Sequence, residues 1–340
     1  MEHKMEKKLT ELFMKIGERG DWPKYFESPE TLKEKISCYS SKLMNEYDPG
    51  GEVWNFQLKL ISWLKNVNDI QDKYLLLNSL SYFTFFNRRQ CIALYREALY
   101  GPTVRWLIDI GEHDITDPQL NDRINESIRQ TCFSAATDSM SMETFRHVCK
   151  PVNTASQTWL AYAERGDNEE KRNREVQLCE NQLRETGYKR IVVLEDFVGS
   201  GSQIKNVLDF LGCFQEWPIL FIPLLVCPQG NSAISKHLSE NKFHHITYEP
   251  LSVLPWELIL ADERPADSTL YPPLLRELKK FAEAIHKKVV GLEGAEALNY
   301  LGFGKVGALF AKYTNCPDNT LRLYHNKSDL WEPLFLRRDR

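Results

Sequence analysis

Arg190-Ile191-Val192-Val193-Leu194-Glu195-Asp196-Phe197-Val198-Gly199-Ser200-Gly201-Ser202-Gln203 is the stretch whose reading decides the fold. Its 191–194 run is wholly apolar and without helical period, the pattern of a strand covered on both faces. Two acids and a glycine–serine loop follow. Ile204, Val207, Leu208 and Leu211 then fall at helical spacing, and Gly212 supplies a stop. In an open parallel sheet, ligands bind beyond the carboxyl ends of the strands. Glu195 and Asp196 are therefore expected at such an end, side by side and pointing to different places. Gly199 and Gly201 permit unusual backbone angles and close approach of a ligand to the main chain. Ser200 and Ser202 add hydroxyl donors, and the helix opening near Gln203 turns its free amides and positive dipole end into the same loop. Such a set suits a phosphate dianion, with the two carboxylates left to hold ribose hydroxyls. No basic side chain is required.

Two rival phosphate loops fit less well. A Walker-type loop ends in Gly-Lys-Ser/Thr, whereas Lys205 falls inside the helix. Gly302-x-Gly304-x-x-Gly307 spells a dinucleotide fingerprint, yet no strand precedes it, and Val306–Tyr313 reads as a strand rather than a helix.

Outward from the loop, strands alternate with helices. Thr131–Thr137, Pro218–Val226 and Phe243–Tyr248 read as further strands, and Met142–Val148 and Asn231–Glu240 as helices. This alternation implies crossover connections and an open, mostly parallel α/β sheet. Residues 154–188 are polar and charged, with helix expected over much of them and a mobile excursion over part. Within them 163–188 is expected as a solvated helix, with a water-excluding lid as the alternative. Tyr271–Val290 reads as a long helix. Gly307–Tyr313 and Leu321–Tyr324 flank Asn315-Cys316-Pro317-Asp318-Asn319-Thr320 and are expected to pair as a C-terminal β-hairpin.

The first third has apolar residues at helical spacing: Leu9, Leu12, Phe13 and Ile16, then Trp54, Leu58, Ile61 and Leu64, then Leu76, Leu80 and Phe83. A boundary at His113–Pro118 divides the chain into a helical region, 1–114, and an α/β domain, 115–340. The helical region suits partner docking or oligomerisation.

The 340 residues are 42% hydrophobic and 26% charged, ordinary globular composition, and the net charge of −4 offers no general field for nucleic acid. None of the eight cysteines forms a Cys-x-x-Cys pair, and no His/Cys cluster has zinc spacing. The expectation is a reducing, cytoplasmic setting with no structural metal. The longest apolar stretch, Trp217–Cys227, is too short to span a bilayer as a helix, so no membrane role is expected.

At Glu195-Asp196-Phe197-Val198-Gly199-Ser200-Gly201-Ser202 the sequence resembles type I phosphoribosyltransferases: a hydrophobic strand, two acids, two mostly apolar residues, then a Thr/Ser-Gly-rich loop. The resemblance implies that Glu195 and Asp196 contact the ribose hydroxyls of phosphoribosyl pyrophosphate. It also implies that the Gly199–Gln203 backbone and Ser200 hold the 5′-phosphate. Gln203 stands where that family usually has threonine. The Thr137-Asp138-Ser139 turn and the string from Gly302-Phe303-Gly304 through Asn315–Thr320 to Trp331-Glu332-Pro333-Leu334-Phe335 resemble the phosphoribosyltransferase-like effectors of bacterial conflict systems, including those encoded beside retron reverse transcriptases. That kinship implies a toxic effector of anti-phage defence, restrained by a reverse transcriptase and a non-coding RNA or DNA.

On this basis glycosyl transfer or N-glycosidic cleavage at ribose C1 is expected, with Mg2+ carried on the ligand's pyrophosphate. Asp138, Ser139 and Arg146 are the candidates for the pyrophosphate side. A non-catalytic sensor of nucleotide or phosphoribosyl pyrophosphate is the alternative.

Overall fold

The computed structural model describes residues 2–43, 46–51, 54–150, 152–155, 157–166, 168–261, 272–291 and 298–338. The chain folds as two compact units, Met1–Arg88 with Pro255–Arg340, and Arg89–Leu254. Among the described residues there are seven strands: β1 (Thr84–Phe86), β2 (Thr131–Ala135), β3 (Asn153–Thr154), β4 (Arg190–Val198), β5 (Ile219–Val226), β6 (Ile246–Tyr248) and β7 (Phe310–Lys312).

The Arg89–Leu254 unit is built on a five-stranded sheet in the order β3-β2-β4-β5-β6, with every neighbouring pair parallel. Parallel neighbours need crossovers, and helices supply them on both faces. Ile191 and Val193 of β4 pack into one layer with Trp159, Cys179, Leu183, Ile204, Val207, Leu208 and Ile234. Val192 and Leu194 face the opposite layer, formed with Tyr95, Trp106, Leu107, Ile124, Ile128 and Phe145. Burial on both faces is why the 191–194 run lacks the polar alternation of a half-exposed strand. The charged 154–188 segment forms the helices Trp159–Arg165 and Glu169–Glu185, and the second lays Cys179 and Leu183 on the core while its other face stays solvated.

The other unit contains the helices Glu2–Arg19, Pro29–Cys38, Phe56–Leu64, Ile70–Ser79 and Pro273–Ala284. Tyr271, the expected start of that last helix, lies outside the described residues, and Ile285 separates it from a short His286–Val290 helix. Trp63 and Trp331 both donate their indole N–H to the carbonyl of Leu323, at 2.9 Å each. Phe83 and Phe85 stack on Phe335. The expected C-terminal hairpin is not formed. β7 pairs in parallel with β1, Thr84 opposite Phe310, and Arg322–Tyr324 is a 3-10 turn instead. Thr84–Phe86, at the end of what looked like a continuing helical pattern, supplies the strand that the 307–313 segment needs. Three residues of strand leave too little periodicity to register in the sequence.

Among the described residues no helix is long and apolar enough to cross a membrane.

Candidate functional site

β4 is the central strand, and it outruns its neighbour. β2 stops at Ala135, opposite Leu194, while β4 continues to Val198 against β5. The ladder's last bond on that side runs from the Ala136 amide to the Leu194 carbonyl, 2.8 Å. Beyond it the next amide, that of Thr137, donates to Oε2 of Glu195 at 2.9 Å, and the Thr137 hydroxyl donates to Oε1 at 2.9 Å. The turn after β2 thus folds over the carboxyl end of β4. Ser139 hangs from this turn, and its Oγ bonds to Glu195 Oε1 and lies 2.8 Å from Asp196 Oδ1.

Neighbouring strand residues should point apart, as expected of these two acids. Both nevertheless meet at the Ser139 hydroxyl. The cause is the early end of β2, which leaves the turn free to cross the strand end and meet both side chains. Each acid is buried, Glu195 at 2% exposure and Asp196 at 7%.

Of the two glycines in the loop after β4, one has a positive φ. Gly201 takes the left-handed conformation (φ 79°, ψ 0°) and stands at the N-cap of the Ser202–Leu211 helix, with no side chain capping it. Gly201 itself takes none of that helix's first amides, and the Ser202 amide makes only a long contact, 3.5 Å, to Ser200 Oγ. Ser200 and Ser202 place their hydroxyl oxygens 3.1 Å apart, while Ser202 and Gln203 are exposed and Ser200 half-buried. Gly199 is buried beneath the helix Pro228–Glu240. There a β-carbon on Gly230 would lie 2.3 Å from the Gly199 carbonyl oxygen.

The remaining candidates sit nearer the surface. Asp138 is exposed, in the turn between β2 and the Met142–Val148 helix. Arg146 lies on an exposed face of that helix, without a hydrogen-bond or ion-pair partner among the described residues. Cys227, whose amide donates to the Val198 carbonyl at 2.8 Å, is fully buried, and burial pushes its thiol above the usual range. Among the described residues no three His, Cys, Asp or Glu side chains gather to hold a metal.

Two participants escaped the sequence reading of the site. Thr137 was visible only as part of a turn, and its grip on Glu195 depends on pairing across residues 58 apart. Gly230 had a local signal, a Pro-Gln-Gly opening a helix directly after a buried strand. The rival Gly302-x-Gly304-x-x-Gly307 is a packing device. Gly302 has φ 82°, and a β-carbon there would lie 2.4 Å from the Asp318 carbonyl oxygen; the neighbouring Phe303 amide donates to that same oxygen at 2.7 Å.

The central strand carries two buried acids near its carboxyl end and leads into a glycine-capped helix N-terminus, the arrangement expected of a phosphoribosyltransferase-like protein. A family model described as PRTase-CE matches residues 60–337, and the chain belongs to that family. No curated protein and no solved structure matches it.

Proposed function

We propose that the protein acts on a ligand containing ribose 5-phosphate, by glycosyl transfer or N-glycosidic cleavage at ribose C1. One observation carries this reading: from the buried Glu195–Asp196 pair, near the carboxyl end of the central strand, the chain passes through a short loop into the Gly201-capped helix. In this reading the amides of residues 199–203 hold the 5′-phosphate, aided by the hydroxyls of Ser200 and Ser202. The acid pair faces the sugar, and the Thr137–Ser139 turn, with Asp138 and Arg146 beyond it, faces the pyrophosphate.

Reactions at C1 pass through a cationic sugar, so the protein's task is to orient the reactants and stabilise charge. Carboxylates fixed beside the sugar serve both ends. Magnesium would enter on the ligand's pyrophosphate, since the described side chains form no cage for it. The resemblance of the 302–335 string further supports a toxic effector of anti-phage defence, cytoplasmic and restrained by a reverse transcriptase and its non-coding RNA or DNA.

The test is incubation of the purified protein with phosphoribosyl pyrophosphate, with nucleotides and with magnesium, followed by product analysis. Turnover lost in Asp196→Asn supports the enzyme. Absence of both binding and turnover refutes the ribosyl reading. A second reading, a sensor without catalysis, is favoured by Gln203, a bulky exposed side chain on the helix's first turn. Binding of phosphoribosyl pyrophosphate with no product, with the restraining partners removed, would select it.

A further inference from the structure

Glu195 and Asp196 are adjacent in sequence but bonded differently to the Thr137–Ser139 turn. Glu195 has both oxygens engaged by the chain itself: Oε2 by the Thr137 amide and Oε1 by the Thr137 hydroxyl, each at 2.9 Å, with Ser139 Oγ on Oε1 as well. A carboxylate held in this way, at 2% exposure, has its orientation set from within. Asp196 meets the same turn through a single oxygen, Oδ1, at 2.8 Å from Ser139 Oγ. Ser139 has one hydroxyl proton for two carboxylates, so it donates to one or the other. The Thr137 amide and hydroxyl hold Glu195 in either case.

From this geometry we infer that the two acids divide the work: Asp196 is the sugar-contacting residue, and Glu195 is a positioning residue that fixes the Thr137–Ser139 turn for the ligand's pyrophosphate. The division rests on the ribosyl reading above and goes further than a shared sugar contact for both acids. Glu195 replaces the backbone partner that β2 loses when it ends. Without it, the Thr137 amide is a buried donor with no acceptor, and the turn is no longer tied to β4. The consequence is felt on the turn side of the ligand and not at the 5′-phosphate, which rests on a separate loop.

The inference is tested by calorimetric binding of two probes, ribose 5-phosphate and phosphoribosyl pyrophosphate with magnesium. The proteins compared are wild type, Glu195→Gln, Asp196→Asn, Thr137→Val, Thr137→Ser and the Thr137→Val/Glu195→Gln double variant. Glu195→Gln and Thr137→Val should each weaken phosphoribosyl pyrophosphate by about tenfold or more, the cost of one charge-assisted bond, and leave ribose 5-phosphate within about twofold. The double variant should be no worse than either single, as for residues acting through one contact. Thr137→Ser, which keeps both donors, should recover most of what Thr137→Val loses. Asp196→Asn should weaken both probes.

Equal weakening of both probes in Glu195→Gln would overturn the division and leave the ribosyl reading intact. Additive losses in the double variant would do the same. A wild-type protein that binds neither probe would overturn both. Should Glu195→Gln fail to fold, the Thr137→Val and Thr137→Ser pair decides the question alone.

Discussion

Gly230 and Gly199 stand in backbone-to-backbone contact: a single β-carbon added to Gly230 would lie 2.3 Å from the Gly199 carbonyl oxygen and 3.2 Å from Val198 Cγ1. The helix Pro228–Glu240 therefore acts as a stop behind the 199–203 loop. Gly230→Ala must push the loop or the helix aside, and overpacking of this kind costs about 1–3 kcal/mol. The expected result is a lowered melting temperature together with weakened ribose 5-phosphate binding, read by thermal denaturation and calorimetry. Unchanged binding would detach the loop from this contact.

Ser134, in β2, accepts a hydrogen bond from the buried indole of Trp159 at 2.5 Å. One residue on, the Leu160 amide donates to the Ala136 carbonyl at 2.9 Å, so the Trp159–Arg165 helix is fastened just before the Thr137 turn. Ser134→Ala leaves the indole N–H buried without this acceptor. A loss of about 1–3 kcal/mol is expected in chemical denaturation.

His325 is buried at 3% exposure, and its Nε2 donates to the Thr320 carbonyl at 3.0 Å. Burial first, and the nearby Arg322 charge second, lower its pKa to about 3. A ring kept neutral in the fold but free to protonate when unfolded contributes its full stability above the unfolded value. That contribution is lost as pH falls towards 3. With an unfolded pKa of about 6.5, the loss between pH 7 and pH 5 is about 2 kcal/mol. Melting curves across that range should show the drop in wild type and a smaller one in His325→Gln, relative to each protein at pH 7.

Of the eight cysteines, only Cys38 and Cys213 are exposed. Burial raises the thiols of Cys132 and Cys316 to about 12 and those of Cys149 and Cys179 to about 11. Native-state labelling with a thiol reagent should modify Cys38 and Cys213 rapidly and the other six only on unfolding. Mass spectrometry of the digested protein reads the sites directly.

The loop was legible because every part of its signal is local. A two-faced strand, two acids, a glycine in the left-handed region and a helix start all lie between Arg190 and Leu211. Even so, the strand's end was misplaced in the sequence. Polar Glu195 looked like its close, yet pairing with β5 carries β4 to Val198. What remained hidden was non-local: Thr137 reaching Glu195, Gly230 beneath Gly199, and β1 beside β7. The misread hairpin belongs to the same class. Two apolar segments around a turn pair with each other by default, unless a third strand is offered from elsewhere, and Thr84–Phe86 is such a strand.

Thr84 and Phe310 are register partners, yet the whole Arg89–Leu254 unit lies between them in sequence. During synthesis, the inserted unit has all of its strands outside the ribosome before the two-stranded sheet of the other unit can close. A fragment of residues 115–340 would retain β7 and lack its mate, leaving an unpaired edge that invites aggregation. Dissecting this molecule into working pieces therefore calls for excising the middle and rejoining the flanks, and a single cut cannot do it.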